Sequence, residues 1–160
     1  MNLNISPAEA LRDRRQSAMA STIQKGVGRR LRAEGFFMIT ELTLSSGRRA
    51  DMVGIGPGGE IWIVEIKCSV EDFRADTKWE DYREHCDRLF FATHDGVPAG
   101  IFPLDAGFIL ADAYGADVIR PAPEHRVTPA ARRSVTLRFA QAAAGRLHGL
   151  MDPFAAGTLL

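Results

Sequence analysis

The sequence predicts an α/β fold, a mixed β-sheet with helices on its faces. Three observations carry this. Helix-like and strand-like stretches interleave along the chain. A short antiparallel meander follows the first helix. The stretch Glu60–Cys68 (EIWIVEIKC) is apolar on both of its faces, as a central strand covered from both sides must be. With 160 residues there is room for one domain and one sizeable core, read as 1–160 with its nucleus at about 17–120.

The elements follow in order. Ser6-Pro7-Ala8-Glu9 is a capping box, with a hydroxyl at N-cap, proline at N1 and glutamate at N3. It opens a helix running to about Gly35, which Gly26 and Gly28 weaken and where they are candidates for a break. Ile23, Val27 and Leu31 fall on one helical stripe, and Arg29, Arg30 and Arg32 fall off it, towards solvent or a partner. Phe36–Leu44 and Arg49–Ile55 read as strands separated by a Ser45-Ser46-Gly47 turn, and Pro57-Gly58-Gly59 turns into the Glu60–Cys68 strand. Val70–Asp87 is charged with widely spaced apolar positions and reads as a helix, or a loop and then a helix. Leu89–Thr93, Gly107–Ala113 and Ala116–Arg120 are further strands, the last two joined by a tight Tyr114-Gly115 turn. Thr128-Pro129 caps a final helix over about 128–149, and the tail from Met151 reads as a loose end.

Composition excludes several classes. Lys+Arg and Asp+Glu are 20 each, so the chain is neither a basic DNA coat nor an acidic solvating chain. Two cysteines cannot staple a secreted scaffold, and no apolar run is long enough to span a membrane. The charged N-terminus lacks the apolar core of a signal peptide, so the expected location is cytoplasmic. The neutral total is unevenly spread. Residues 1–50 carry +5, residues 51–120 carry −8 and residues 121–160 carry +3.

Gly54-Ile55-Gly56-Pro57-Gly58-Gly59 fits the G-x-G-x-x-G dinucleotide pattern. A strand follows it rather than a helix, so no helix N-terminus is offered to a pyrophosphate and the glycines read as a hairpin. Cys68, His85, Cys86 and His94 lack zinc spacing and read as core thiols and surface histidines.

The informative residues are Asp51, Glu65 and Lys67. Glu65 and Lys67 are two apart, and so on one face of the most apolar strand, where unpaired charge is costly. One reading is structural: Lys67 pairs with Asp51 or Glu65. The other is a metal site, in which carboxylates on neighbouring strands and a main-chain carbonyl offer hard oxygen ligands to Mg2+ or Mn2+ beside a lysine. Register decides whether the site can form. A two-residue Gly58-Gly59 loop pairs Pro57 with Glu60 and turns Asp51 away. Pro57-Gly58-Gly59 as a three-residue loop with a left-handed glycine pairs Gly56 with Glu60 and brings Asp51 to Glu65.

Asp51 followed across a hairpin by Glu65-Ile66-Lys67 resembles the PD-(D/E)-x-K nuclease superfamily. The wider sequence is similar to the bacterial MmcB-type DNA-repair proteins of that superfamily. The similarity runs through Gly47-Arg48-Arg49-Ala50-Asp51, Val64-Glu65-Ile66-Lys67, Asp72-Phe73-Arg74-Ala75-Asp76, Lys78-Trp79, Asp81-Tyr82 and Cys86-Asp87, and into Ala130-Ala131-Arg132-Arg133. Ala50 stands where the motif name has proline.

The resemblance implies a restriction-endonuclease-like three-layer α/β/α sandwich with a mixed central sheet, and a Mg2+- or Mn2+-dependent deoxyribonuclease acting in DNA repair. Asp51, Glu65 and the Ile66 main-chain carbonyl would bind the metal, and Lys67 would assist hydrolysis. Glu41 is a candidate further ligand or an exposed strand residue, and Gln24 a weaker candidate. Arg48, Arg49, Arg74 and Lys78 are candidates for phosphate contact; Arg132, Arg133 and Arg138 either track a nucleic-acid backbone or face solvent. DNA is the expected partner, with a homodimer or a repair protein as further options. The alternative is a catalytically silent nuclease-fold module that binds DNA or a repair partner. A third possibility is a structural or dimerisation domain. The catalytic reading carries one local expectation, a basic rim around an acidic notch at Asp51 and Glu65.

Overall fold

The computed structural model describes residues 6–154. Helix α1 (Pro7–Ala33) is followed by strands β1 (Phe37–Thr43), β2 (Arg49–Ile55) and β3 (Ile61–Ile66). Then come a short helix α2 (Val70–Ala75), a 3-10 helix (Trp79–His85) and β4 (Arg88–Thr93). Strands β5 (Gly107–Ala111) and β6 (Ala116–Arg120) precede the last helix, α3 (Pro129–Met151). The six strands form one sheet in sequence order; the β3–β4 and β4–β5 pairs are parallel, and the β1–β2, β2–β3 and β5–β6 pairs are antiparallel. The sheet is therefore mixed, as expected. Among the described residues no helix is long and apolar enough to cross a membrane. The expected loose tail lies, beyond Phe154, outside the described residues.

Helices cover both faces. Ile23, Val27 and Leu31 of α1, the predicted stripe, pack on Met52, Val64, Ile66 and Phe90. On the opposite face Val135 of α3 and Tyr82 of the 3-10 helix pack with Leu42, Leu44, Val53, Ile63 and Leu89. Both predicted caps form: Ser6 Oγ accepts from Glu9 N at 3.2 Å while Glu9 Oε2 accepts from Ser6 N at 2.8 Å, and Thr128 Oγ1 accepts from Ala131 N at 3.2 Å.

Three expectations are corrected. Helix α1 does not break at Gly26 or Gly28. Gly26 lets the helix lie directly on the β5–β6 turn, where an added Cβ would meet the carbonyl oxygens of Asp112 at 2.2 Å and Gly115 at 2.4 Å. Gly26→Ala is thus expected to lower stability by about 2 kcal/mol or more, read as a fall in Tm, because both obstructing atoms are backbone. The segment 70–87 forms two short helical pieces, anchored to the core at separated points: Phe73 and Trp79 pack on Phe91, and Tyr82 and Cys86 enter the cluster under α3. His85, read as a surface histidine, is buried.

The off-stripe arginines of α1 serve the fold. Arg29 donates to the Ala113 carbonyl, Arg30 pairs with Glu34 at 2.6 Å, and Arg32 lies over the Phe37 ring at 4.6 Å. Arg132 of α3 makes a two-point bond to Asp87 at 2.6 and 2.8 Å.

Candidate functional site

The β2–β3 loop has the chemistry the register needs. Gly56 N donates to Glu60 O at 2.9 Å and Gly59 N to Gly56 O at 3.0 Å, which closes a three-residue loop on Gly59 at φ +85°. Met52 consequently faces Val64 and Ile55 faces Ile61. This register brings Asp51 to the level of Glu65.

At that level the sheet opens. The β2–β3 ladder ends at Met52–Val64, and the β1–β2 ladder skips the Glu41–Asp51 position between Thr40–Met52 and Leu42–Ala50. Glu41 has φ +52°, the left-handed region that a residue with a Cβ rarely adopts. Strand alternation changes phase there. Ile39 and Leu42 both pack towards α3, as do Ala50 and Val53, although each pair is three apart.

Carboxylates bridge the opening. Glu65 Oε1 accepts from the Asp51 amide at 3.1 Å, and Asp51 Oδ2 accepts from the Ile66 amide at 2.8 Å. Among the described residues no hydrogen bond engages Glu65 Oε2 or Asp51 Oδ1, so each carboxylate keeps one oxygen for another donor or a cation. Glu65 is 3% exposed. Burial and the neighbouring Asp51 charge push its pKa up to about 8, against the Asp51 N–H and Lys67. Burial likewise raises Asp51, opposed by the Ile66 N–H and by Lys67.

Lys67 is also buried, but it pairs with neither carboxylate. Its Nζ donates to Asp76 Oδ2 at 2.8 Å. Arg48 holds the other oxygen of Asp76 at 3.2 Å, reaches Asp81 at 3.6 Å and lies over the Tyr82 ring at 4.8 Å. Burial works against ionisation of Asp76, but the Lys67 hydrogen bond and charge outweigh it and hold its pKa below the usual range. Asp76 is the residue that reading the sequence missed. A buried lysine requires an acid, which was a usable signal, but nothing in the spacing separates Asp76 from Asp72. Asp72 instead accepts from Cys68 N at 2.9 Å.

A cavity of about 270 Å3 lies over the opening, lined by Asp13, Gln16, Gln24, Glu41, Asp51, Ile66, Cys68 and Asp72 among others. Both candidate helpers, Glu41 and Gln24, therefore reach the Asp51 cavity, although the Glu41 carboxylate pairs with Arg49 at 3.6 Å. Among the described residues no three His, Cys, Asp or Glu side chains converge closely enough to hold a metal. The available set is the Asp51 and Glu65 oxygens with a main-chain carbonyl. It suits a hard cation that keeps several waters.

The basic rim is corrected. Among the described residues no Lys or Arg lines this cavity, and four of its lining residues are acidic. The cations stand one step out: Arg12 and Arg15 line the adjoining groove, and Arg49 is exposed. Arg74 and Lys78 are exposed, and among the described residues neither has a carboxylate within ion-pair distance. A larger groove of about 700 Å3 beside the β5–β6 hairpin has Asp95, Asp112 and Asp117 among its lining residues and contains none of the predicted site residues.

The raised Glu65 pKa has a sign that can be checked. A carboxyl whose folded pKa exceeds its unfolded value binds extra protons in the folded state, so stability falls as pH rises through that interval. The depressed His85 acts oppositely, but its contribution is already complete above its unfolded value of 6.5. Between pH 7 and 8, in chelator, the fold is expected to lose about 1 kcal/mol, or roughly 2–4 °C in Tm. Glu65→Gln should flatten that slope; an equal slope in the variant would contradict it.

Comparison with known proteins gives two matches. The family model described as "DNA repair protein MmcB-like" matches residues 7–154. A solved structure, the SPO1766 protein of unknown function from Silicibacter pomeroyi, is similar with a TM-score of 0.81 and 44% identity; the match covers 84% of this chain and 92% of that one. No curated protein matches.

Proposed function

The chain belongs to the MmcB-like DNA repair family, and from that premise we propose that it is a metal-dependent deoxyribonuclease of the PD-(D/E)-x-K superfamily. In this reading its layered sheet is of the restriction-endonuclease-like kind. The observation that carries the proposal is a pair of carboxylates, Glu65 buried and Asp51 half-buried, each with a free oxygen and neither paired with a cation. Purely structural carboxylates at this depth would be expected to carry their own counter-charge, as Asp76 and Asp87 do.

Asp51 and Glu65 would hold Mg2+ or Mn2+ with the Ile66 main-chain carbonyl. Glu41 lines the same cavity as Asp51 but is paired with Arg49, and would have to leave Arg49 and move closer to serve as a further ligand. When bound, the cation supplies Lewis acidity towards a phosphoryl oxygen and lowers the pKa of water. Lys67, anchored by Asp76, offsets charge on the phosphate and orients the attacking water. Arg48 keeps Asp76 in place, and so acts on the chemistry through Lys67. Arg49, Arg74 and Lys78 are the cations left for contacts along the DNA backbone. The acidic cavity wall repels phosphate until a cation reverses the local charge, so productive DNA binding requires the metal.

The test is a cleavage panel of nicked, branched, single-stranded and damaged DNA with Mg2+ or Mn2+, alongside Glu65→Ala and Lys67→Ala. Metal-dependent cleavage by the unaltered chain that both substitutions abolish supports the nuclease. Cleavage indifferent to both, or none on any substrate, overturns it. DNA binding that persists in Glu65→Ala without cleavage by the unaltered chain favours the silent binding module.

A further inference from the structure

We infer that the outer face of α3 is a homodimer interface, in which two copies of the helix pair antiparallel about a two-fold axis. The inner face of α3 is fully occupied. Val135, Phe139 and Ala142 pack into the core, while Arg138 and Arg146 donate to the carbonyls of Thr43 at 3.4 Å and Glu41 at 3.1 Å. The opposite face carries Leu137, Ala140, Ala144, Leu147 and Met151, all exposed. Their spacings alternate between three and four residues over the length of the helix. That is the heptad seam by which one helix packs on another, and it identifies the occupant as a helix.

The sequence of the seam is self-complementary. Two copies laid antiparallel bring Leu137 against Leu147 of the second copy and Ala140 against its Ala144, so small residues meet at the centre and leucines close both ends. Charge selects the same direction. Between Pro129 and Met151 the helix has four arginines and no acid, and its C-cap is Asp152. Parallel pairing stacks Arg133 on Arg133. Antiparallel pairing sets each Arg133 beside Met151 of the second copy, near Asp152 and the negative end of that helix.

The ends also fit. A groove of about 700 Å3 beside the start of α3 is lined by Val127, Pro129, Arg133, Thr136 and Leu137, among others. The same register brings the C-terminal end of the second copy's α3, which Phe154 follows, 94% exposed in the single chain, to the start of this one, where that groove lies. Leu137, Leu147, Met151 and Phe154 leave on the order of 600 Å² open, at the upper end of the largest patch on an ordinary monomer. One side of a standard interface buries about 800 Å².

The test uses the full chain. Sedimentation or light scattering at tens of micromolar should give twice the 17.5 kDa chain mass. Leu137→Glu/Leu147→Glu should raise the dissociation constant by about 100-fold or more while leaving Tm nearly unchanged at concentrations where both proteins are monomeric, because both residues lie outside the monomer core. Should that variant fail to fold, cysteine pairing decides the question. Ala140→Cys mixed with Ala144→Cys should form an interchain disulfide that neither forms alone, since the like positions lie beyond disulfide reach. A monomer at these concentrations, a dimer indifferent to the glutamates, or Ala140→Cys cross-linking with itself would each overturn the inference.

Discussion

In the presence of Mg2+, Glu65→Gln and Lys67→Ala are each expected to slow DNA cleavage about 100- to 1000-fold, the usual effect of removing one group that stabilises charge in a transition state. Glu65→Gln is the sharper variant. Its amide oxygen can still accept from the Asp51 amide, the bond Glu65 now holds at 3.1 Å, so the sheet opening is preserved while the anionic oxygen is lost. Lys67→Ala leaves Asp76 with Arg48 alone; Lys67→Arg keeps the charge and should recover part of the rate. Asp76→Asn, by loosening Lys67 without touching the carboxylates, should lower the rate less than Lys67→Ala. Circular dichroism and Tm distinguish these effects from unfolding. Variants that fold normally and cleave at the unaltered rate would remove Glu65 and Lys67 from the chemistry.

Asp87→Ala is expected to be the most damaging substitution for the fold, at about 3 kcal/mol, or roughly 6–12 °C in Tm. One buried carboxylate joins three elements. It accepts from the Ile61 amide at 2.6 Å at the start of β3 and holds Arg132 of α3 at two points. The backbone of Asp87 also receives His125 N at 2.7 Å. Alanine leaves the Ile61 N–H unpaired in the core and releases α3. Burial raises the pKa of Asp87, but the Arg132 bond and the Ile61 amide overcome this and hold it below the usual range. Its contribution is therefore complete at neutral pH and is lost on acidification through the folded pKa, the reverse of Glu65. Urea unfolding at pH 7 and pH 3 should show the gap between Asp87→Ala and the unaltered chain closing at the lower pH.

Much of the fold was legible because the signals are local. Ser6 and Glu9 declare a cap by chemistry that acts over three residues, and Pro57-Gly58-Gly59 declares its loop because Gly59 must take a positive φ. From that loop the meeting of Asp51 with Glu65 followed. What stayed hidden depends on residues distant in sequence. Gly26 is explained only by the β5–β6 turn that lies upon it, and its helix propensity argued for the wrong outcome. Lys67 needed an acid, yet the choice of Asp76 is made by the path of α2. The left-handed Glu41 interrupts strand alternation at the level of the carboxylates, and no pattern of apolar residues encodes that. The expected basic rim failed for a related reason. A charge total over fifty residues does not say which side chains one turn of α1 presents to the cavity, and that turn presents Asp13 and Gln16 while Arg12 and Arg15 face the next groove.

The opening between β2 and β3 also provides a spectroscopic handle. The amides of Asp51 and Ile66 are bonded to side-chain carboxylates rather than to carbonyls of a neighbouring strand. Their 15N and 1H frequencies therefore report the ionisation of those two carboxylates directly. A titration that moves this pair of cross-peaks together, by acid or by a divalent cation, would read the site out at single-residue resolution with no substrate in the tube.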